Sequence, residues 1–307
     1  MKKIQKGSKI GVLAPAFQPK PERLKKGIDY LKSLGYSVAE GLSLYAKHGY
    51  LAGSDQLRLD DIHQMFADPE IDAIICARGG WGCLRLLDQI DYKLIKTNPK
   101  LFIGYSDVTT LQLAFWTRAQ LPSLSGPMVA VEMGTGIEEF TATHFWDQLF
   151  NPKPQYTIHF NPQVSPVGQH GQASGTLLGG CLSMVAHQLG TPYSPDYTDC
   201  ILFLEDIGEE PYRIDRYLSQ LKQTGLFENI RGLILGNFID CENQDAERPS
   251  FTVDEVLQDY FSQKPYPVIY NFPYGHGMVK VSLPIGVMAR IDTESALLEL
   301  NNPLFNQ

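Results

Sequence analysis

Residues 101–110 set a single serine, Ser106, between an apolar run that stops at Gly104 and a helical pattern over residues 107–120. A strand that ends in a glycine and turns into a helix holds that serine at the tip of the turn. The backbone N–H groups of the helix start lie beneath it and stabilise negative charge. Acyl transfer asks this of a nucleophile, provided that a base and an acid are supplied elsewhere. The chain supplies both. Glu205 and Asp206 close the apolar run at residues 201–206, and His276 stands between Gly275 and Gly277, which leave the imidazole room. The order Ser, Glu, His places the three at separate element ends. A base for the serine proton and a carboxylate that holds the imidazole in the right tautomer complete the requirement. The Arg78-Gly79-Gly80 loop offers a backbone N–H to a developing oxyanion, and the N–H of Asp107 is its partner.

Each group also has a plainer reading. A serine just before a helix is commonly an N-cap, and Val108 stands where the G-x-S-x-G pattern has its last glycine. Carboxylates at a strand end are often simply solvated, and Arg213 and Arg216 are cations for the cluster Glu205, Asp206, Glu209 and Glu210. His276 reads equally as a surface-loop histidine. A glycine loop after a strand also cradles phosphate. Neither G-x-G-x-x-G nor a Walker lysine pattern occurs, so a nucleotide site is the weaker choice.

The elements that must position these residues alternate. Strand patterns at residues 10–14, 36–39, 72–77 and 101–104 are separated by helical patterns at 21–34, from Ser54, at 83–89 and at 107–120. Such spacing implies parallel βαβ units, whose ligands bind beyond the carboxyl ends of the strands. The Gly79-Gly80 loop and Ser106 both occupy such ends. Residues 151–175, with four prolines and few charges, read as a linker with some extended structure. Beyond it, strands at 199–205, 232–238 and 280–291 and a helix at 212–224 imply a second, β-richer domain. The expected division is residues 1–150, the linker 151–175, and residues 176–307.

Composition narrows the function classes. The 307 residues carry a net charge of −8 and no concentrated basic block, which argues against nucleic acid as a partner. No apolar run approaches the length of a spanning helix and no apolar segment follows the N-terminal lysines, so no membrane partner and a cytoplasmic location are expected. The five cysteines lack paired spacing, and neither a disulfide framework nor a metal site is suggested.

Five blocks together resemble the LD-carboxypeptidases, serine peptidases that include muropeptide-recycling enzymes and microcin immunity peptidases. They are residues 77–82, 103–109, 178–180, 203–206 with 211–216, and 272–277, and the resemblance runs from Ile10 to about Asp292. It implies Ser106 as nucleophile, His276 as base and Glu205 as the orienting acid, without cofactor. It also implies an α/β fold: a Rossmann-like parallel-sheet N-terminal domain, a β-rich C-terminal domain carrying Glu205 and His276, an active site in the cleft between them, and a homodimer. Cys181 departs from the family, which commonly has asparagine after the Gly179-Gly180 pair. The expected activity is release of terminal D-alanine from the L,D amide of cytoplasmic muropeptide tetrapeptides. The alternatives are cleavage of an amide in a peptide-nucleotide antibiotic, and a non-catalytic two-domain protein that closes over a small ligand.

Overall fold

Short apolar runs build a first sheet. Lys9–Leu13 (β1), Ser37–Glu40 (β2), Ile71–Cys76 (β3), Leu101–Gly104 (β4) and Ser123–Ser125 (β5) lie parallel in the order β2-β1-β3-β4-β5. β4 is buried at every position, as a strand covered on both faces must be. Pro21–Ser33 (α1), Asp55–Ala67 (α2), Tyr92–Thr97 (α3) and Thr109–Ala119 (α4) make the connections, and Glu132–Thr135 (α5) and Glu139–Phe150 (α6) follow β5. α1 begins on Pro21, whose fixed φ suits a first turn, and buries Leu24, Ile28 and Leu31. Ser54 caps α2 by accepting the Leu57 N–H at 3.2 Å. The sheet is doubly wound. Its order reverses between β1 and β3, whose carboxyl ends therefore flank the crevice where such sheets hold ligands.

This computed structural model describes residues 1–150, 153–245 and 247–301. They fall into two compact units, one of Met1–Lys153 with Val281–Gly286 and the other of Pro154–Lys280 with Val287–Asn302, each in its described residues. The late segment gives the first sheet its sixth strand, Leu283–Ile285 (β12), antiparallel on β5. Gln148 of α6, 2% exposed, donates to the Ser282 carbonyl at 2.9 Å and fixes that strand in place.

The second unit has an eight-stranded sheet. Its strands are Gln155–His159 (β6), Val167–Gln169 (β7), Gln172–Cys181 (β8), Cys200–Ile207 (β9), Gly232–Ile239 (β10), Val268–Ile269 (β11), Val287–Asp292 (β13) and Leu297–Asn301 (β14), in the order β6-β14-β13-β8-β9-β10-β11-β7. β8 to β11 are parallel and the flanking strands are antiparallel. Leu182–Gln188 (α7), Pro211–Gln223 (α8), Leu226–Asn229 (α9) and Val253–Phe261 (α10) connect them.

Three expectations need correction. The stretch read as a linker is sheet: β6 alternates exposed and buried residues, with Tyr156 and Ile158 inward, and β7 and β8 follow. Pro154 precedes β6, and Pro162 and Pro166 lie between β6 and β7, where a missing N–H breaks no ladder; residues 151 and 152 lie outside the described residues. The run at 280–291 is two strands in different sheets, parted at Gly286. Residues 83–89 form only a single 3₁₀ turn, Cys83–Leu86. No helix among the described residues is long and apolar enough to cross a membrane.

Candidate active site

Ser106 leaves β4 and opens a 3₁₀ turn, Ser106–Val108, that leads into α4. Its φ is +65°, a left-handed conformation that costs a residue with a side chain on the order of 1 kcal/mol. Surrounding hydrogen bonds hold it there. Gln112 of α4 donates to the Gly104 carbonyl at 3.0 Å and to the Leu124 carbonyl at 2.9 Å, fixing the ends of β4 and β5. Asp107 is 1% exposed and its Oδ2 accepts the Cys83 N–H at 2.9 Å, while burial pushes its carboxyl pKa up. Arg58 of α2, wholly buried, donates to the carbonyls of Pro15 and Gly82 and pairs with Asp55, which pins the loops after β1 and β3.

The N-cap reading of Ser106 fails. Tyr105 is the residue at the cap position, and no side chain caps the turn. Gly79 lies against the serine: a Cβ there would stand 3.0 Å from Ser106 Oγ and 3.3 Å from the Asp107 nitrogen. Only a glycine lets the loop come that close. The N–H groups of Gly79 and Gly80 have no hydrogen-bond partner among the described residues. Donors of that kind suit an oxygen that gains charge beside Ser106.

In the second unit, Glu205 lies near the end of β9 with its side chain fully buried, and its Oε2 is 2.7 Å from His276 Nδ1. The segment that carries His276 runs along the end of β10. Phe272 N–H donates to the Leu235 carbonyl at 2.9 Å, and Asn237 N–H to the Tyr274 carbonyl at 2.9 Å. The Tyr274 ring packs edge-on to Phe203, with centroids 5.0 Å apart. At Gly275, φ +114°, a Cβ would meet Glu205 Oε2 at 2.6 Å, so the carboxylate fits because that residue has no side chain. With the carboxylate on Nδ1, the ring proton belongs there and Nε2 carries the lone pair. That is the arrangement of an oriented base.

The other acids are committed elsewhere. Asp206 accepts the Ser183 N–H at 2.7 Å and the Ile207 N–H at 2.8 Å. Burial first, and the charge of Glu205 second, push its pKa up to about 6. Glu209 pairs with Arg213 at 3.5 Å and Glu210 with Arg248. Arg213 of α8 thus takes Glu209, Arg216 lies over the Tyr212 ring, and Glu205 is left to the histidine. Cys181 is buried and in register with Glu205, its Sγ 3.4 Å from Ser183 Oγ. Among the described residues no group of three His, Cys, Asp or Glu side chains is placed to hold a metal ion.

Sequence reasoning missed Arg58 and the side chain of Asp107. A buried cation inside the apolar rhythm of Leu57, Leu59, Ile62 and Met65 gives no signal of its own, because its carbonyl partners come from loops distant in sequence and only Asp55 is local.

Comparison with known proteins decides the family. The LD-carboxypeptidase N-terminal domain matches residues 10–126 and the LD-carboxypeptidase C-terminal domain matches residues 174–291. The chain belongs to the LD-carboxypeptidase family. This LD-carboxypeptidase is 38% identical over 302 residues to the probable murein peptide carboxypeptidase of Bacillus subtilis, covering 97% of this chain and 93% of that one. The structure of muramoyltetrapeptide carboxypeptidase from Oxalobacter formigenes superimposes with a TM-score of 0.84 at 31% identity, covering 95% and 98% of the two chains. The microcin C7 self-immunity protein MccF of Escherichia coli is 26% identical over 315 residues, covering 92% of this chain and 89% of that one. Membership makes this LD-carboxypeptidase an enzyme of the serine peptidase class, and the non-catalytic alternative falls away.

Proposed function

We propose that Ser106 is the nucleophile, His276 the base and Glu205 the group that holds the imidazole, and that the enzyme releases terminal D-alanine from muropeptide tetrapeptides. The observation that carries this reading is the 2.7 Å contact from the buried Glu205 to His276 Nδ1, in a chain whose serine stands on a strained strand-to-helix turn. Ser106 Oγ attacks the carbonyl of the diamino acid's L-centre, and His276 Nε2 takes its proton. The oxyanion is received by the N–H groups of the Gly79-Gly80 loop and Asp107. D-alanine leaves with the proton returned by His276, and water then hydrolyses the acyl-enzyme through the same base. The reading needs no cofactor.

The names of the B. subtilis and O. formigenes relatives support a murein-derived peptide as substrate. The MccF likeness supports a second reading, an amide in a peptide-nucleotide antibiotic. Incubation with a disaccharide-free tetrapeptide, followed by mass measurement of released D-alanine, tests the first. Release by the parent and none by Ser106→Ala is the expected result. Turnover of an aminoacyl-nucleotide conjugate with no D-alanine released would favour the second. A cytoplasmic location and a homodimer belong to the same proposal, and light scattering on the purified protein checks the dimer.

A further inference from the structure

The crevice between the ends of β1 and β3 contains a cation that, among the described residues, pairs with no carboxylate. Arg78 follows β3, one residue before the glycine that touches Ser106. Its Nη1 has only the Gln18 carbonyl, at 3.5 Å, and its guanidinium lies over the Phe17 ring, 5.5 Å from the centroid. Phe17 is fixed in turn: its N–H donates to the Gly79 carbonyl at 3.3 Å and its ring lies directly against Gly80. Tyr50 packs on Phe17 at 5.4 Å and Trp81 on Tyr50 at 6.1 Å, which makes the cation's support an aromatic wall.

The carboxylates near the turn are taken. Asp107 holds the Cys83 N–H, and Glu132 holds the Tyr105 hydroxyl at 2.7 Å and the Met128 N–H at 2.9 Å. Burial, and after it the like charge of Arg23 in the first turn of α1, hold the guanidinium's pKa below its usual value. In a chain of net charge −8, a half-buried guanidinium with no ion pair to a carboxylate among the described residues suits an anion from outside.

The reaction class supplies one. In the residue that a carboxypeptidase releases, the carboxylate is two bonds beyond the scissile nitrogen, within about 5 Å of the carbonyl under attack. We propose that the Arg78 guanidinium, backed by Phe17, binds the α-carboxylate of the released residue and so restricts cleavage to the chain end. The proposal rests on Ser106 being the nucleophile.

The test compares the free-acid tetrapeptide with its C-terminal amide in the parent, Arg78→Gln and Arg78→Lys enzymes. The parent is expected to prefer the acid. Arg78→Gln should lose about 10- to 100-fold in kcat/KM on the acid, chiefly through KM, and stay at the parent rate on the amide. Arg78→Lys should regain part of the loss, since a point charge replaces a planar fork. Equal losses on both peptides, or an acid preference that survives in Arg78→Gln, would overturn the anchor and leave the triad standing. If the parent releases no D-alanine, the functional reading itself has failed. Calorimetric binding of the two peptides to Ser106→Ala, with and without Arg78→Gln, then decides the anchor alone. Tighter binding of the acid that depends on Arg78 supports it, and indifference to the terminal group overturns it.

Discussion

Ser106 occupies its turn against its own backbone preference, and substitution separates strain from chemistry. Ser106→Gly should abolish kcat while leaving the thermal midpoint equal to the parent's or above it. Relief of roughly 1 kcal/mol at φ +65° offsets the chain entropy that a glycine adds. A clear loss of midpoint would mean that the hydroxyl is structural. Glu205→Gln should lower kcat by up to about 10⁴-fold with little change in KM, because the amide favours the wrong tautomer as the imidazole takes up charge. Normal kcat per folded molecule would remove Glu205 from the mechanism. Gly275→Ala tests the same contact from the other side. Its Cβ at 2.6 Å from Glu205 Oε2, on a φ of +114°, should reduce both kcat and midpoint, at about 1–3 kcal/mol. Gly277→Ala is the control, since its Cβ would stand 3.1 Å from Asn237 Oδ1 and 3.7 Å from the Val279 carbonyl, away from the carboxylate.

Among the elements, those whose burial is uniform or whose periodicity is clean were legible in the sequence. β4 is a continuous apolar run and β3 is one but for Asp72, and α1 and α8 each place apolar residues on one face. β6 and β7 were hidden, because proline and glycine density outweighed a five-residue alternation. α10 carried a readable signal that was passed over. Thr252 accepts the Glu255 N–H at 3.2 Å while Glu255 accepts the Thr252 N–H at 2.7 Å, a capping box. At the site, residue types identified Glu205 and His276, but their contact depends on residues 272–277 joining the edge of β10, which no local pattern encodes. The strand end also sets a pH dependence through Asp206, held by the start of α7. Its pKa is about 6 in the fold against an ordinary 3.8, so between those values the folded chain binds more protons than the unfolded one. Stability therefore falls as pH rises from about 4 to 6, by at most about 3 kcal/mol from this group. Asp206→Asn has no proton to lose. The midpoint of the variant minus that of the parent should rise across the same interval, and a constant difference would mean that Asp206 does not titrate there.

For the whole molecule, the boundary drawn by sequence families is not the boundary of folding. The C-terminal family domain matches residues 174–291, yet its residues 283–285 are β12 of the first sheet. A fragment of residues 1–153 should accordingly aggregate or melt early, because β5 has an open edge. The same fragment with residues 281–286 appended through a flexible linker should be more soluble and melt higher. Size-exclusion chromatography and thermal melts compare them, and equal behaviour would make β12 dispensable. The late strand also bears on how the protein is made. Ser125 pairs with Leu283, so the first sheet to leave the ribosome cannot be closed until Gly286 has been added, 161 residues after Ser125 (286 − 125). At about 5–20 residues per second that wait is on the order of ten seconds, during which β5 stands unpaired. A truncation after residue 280 would therefore damage a sheet whose other five strands all precede residue 126.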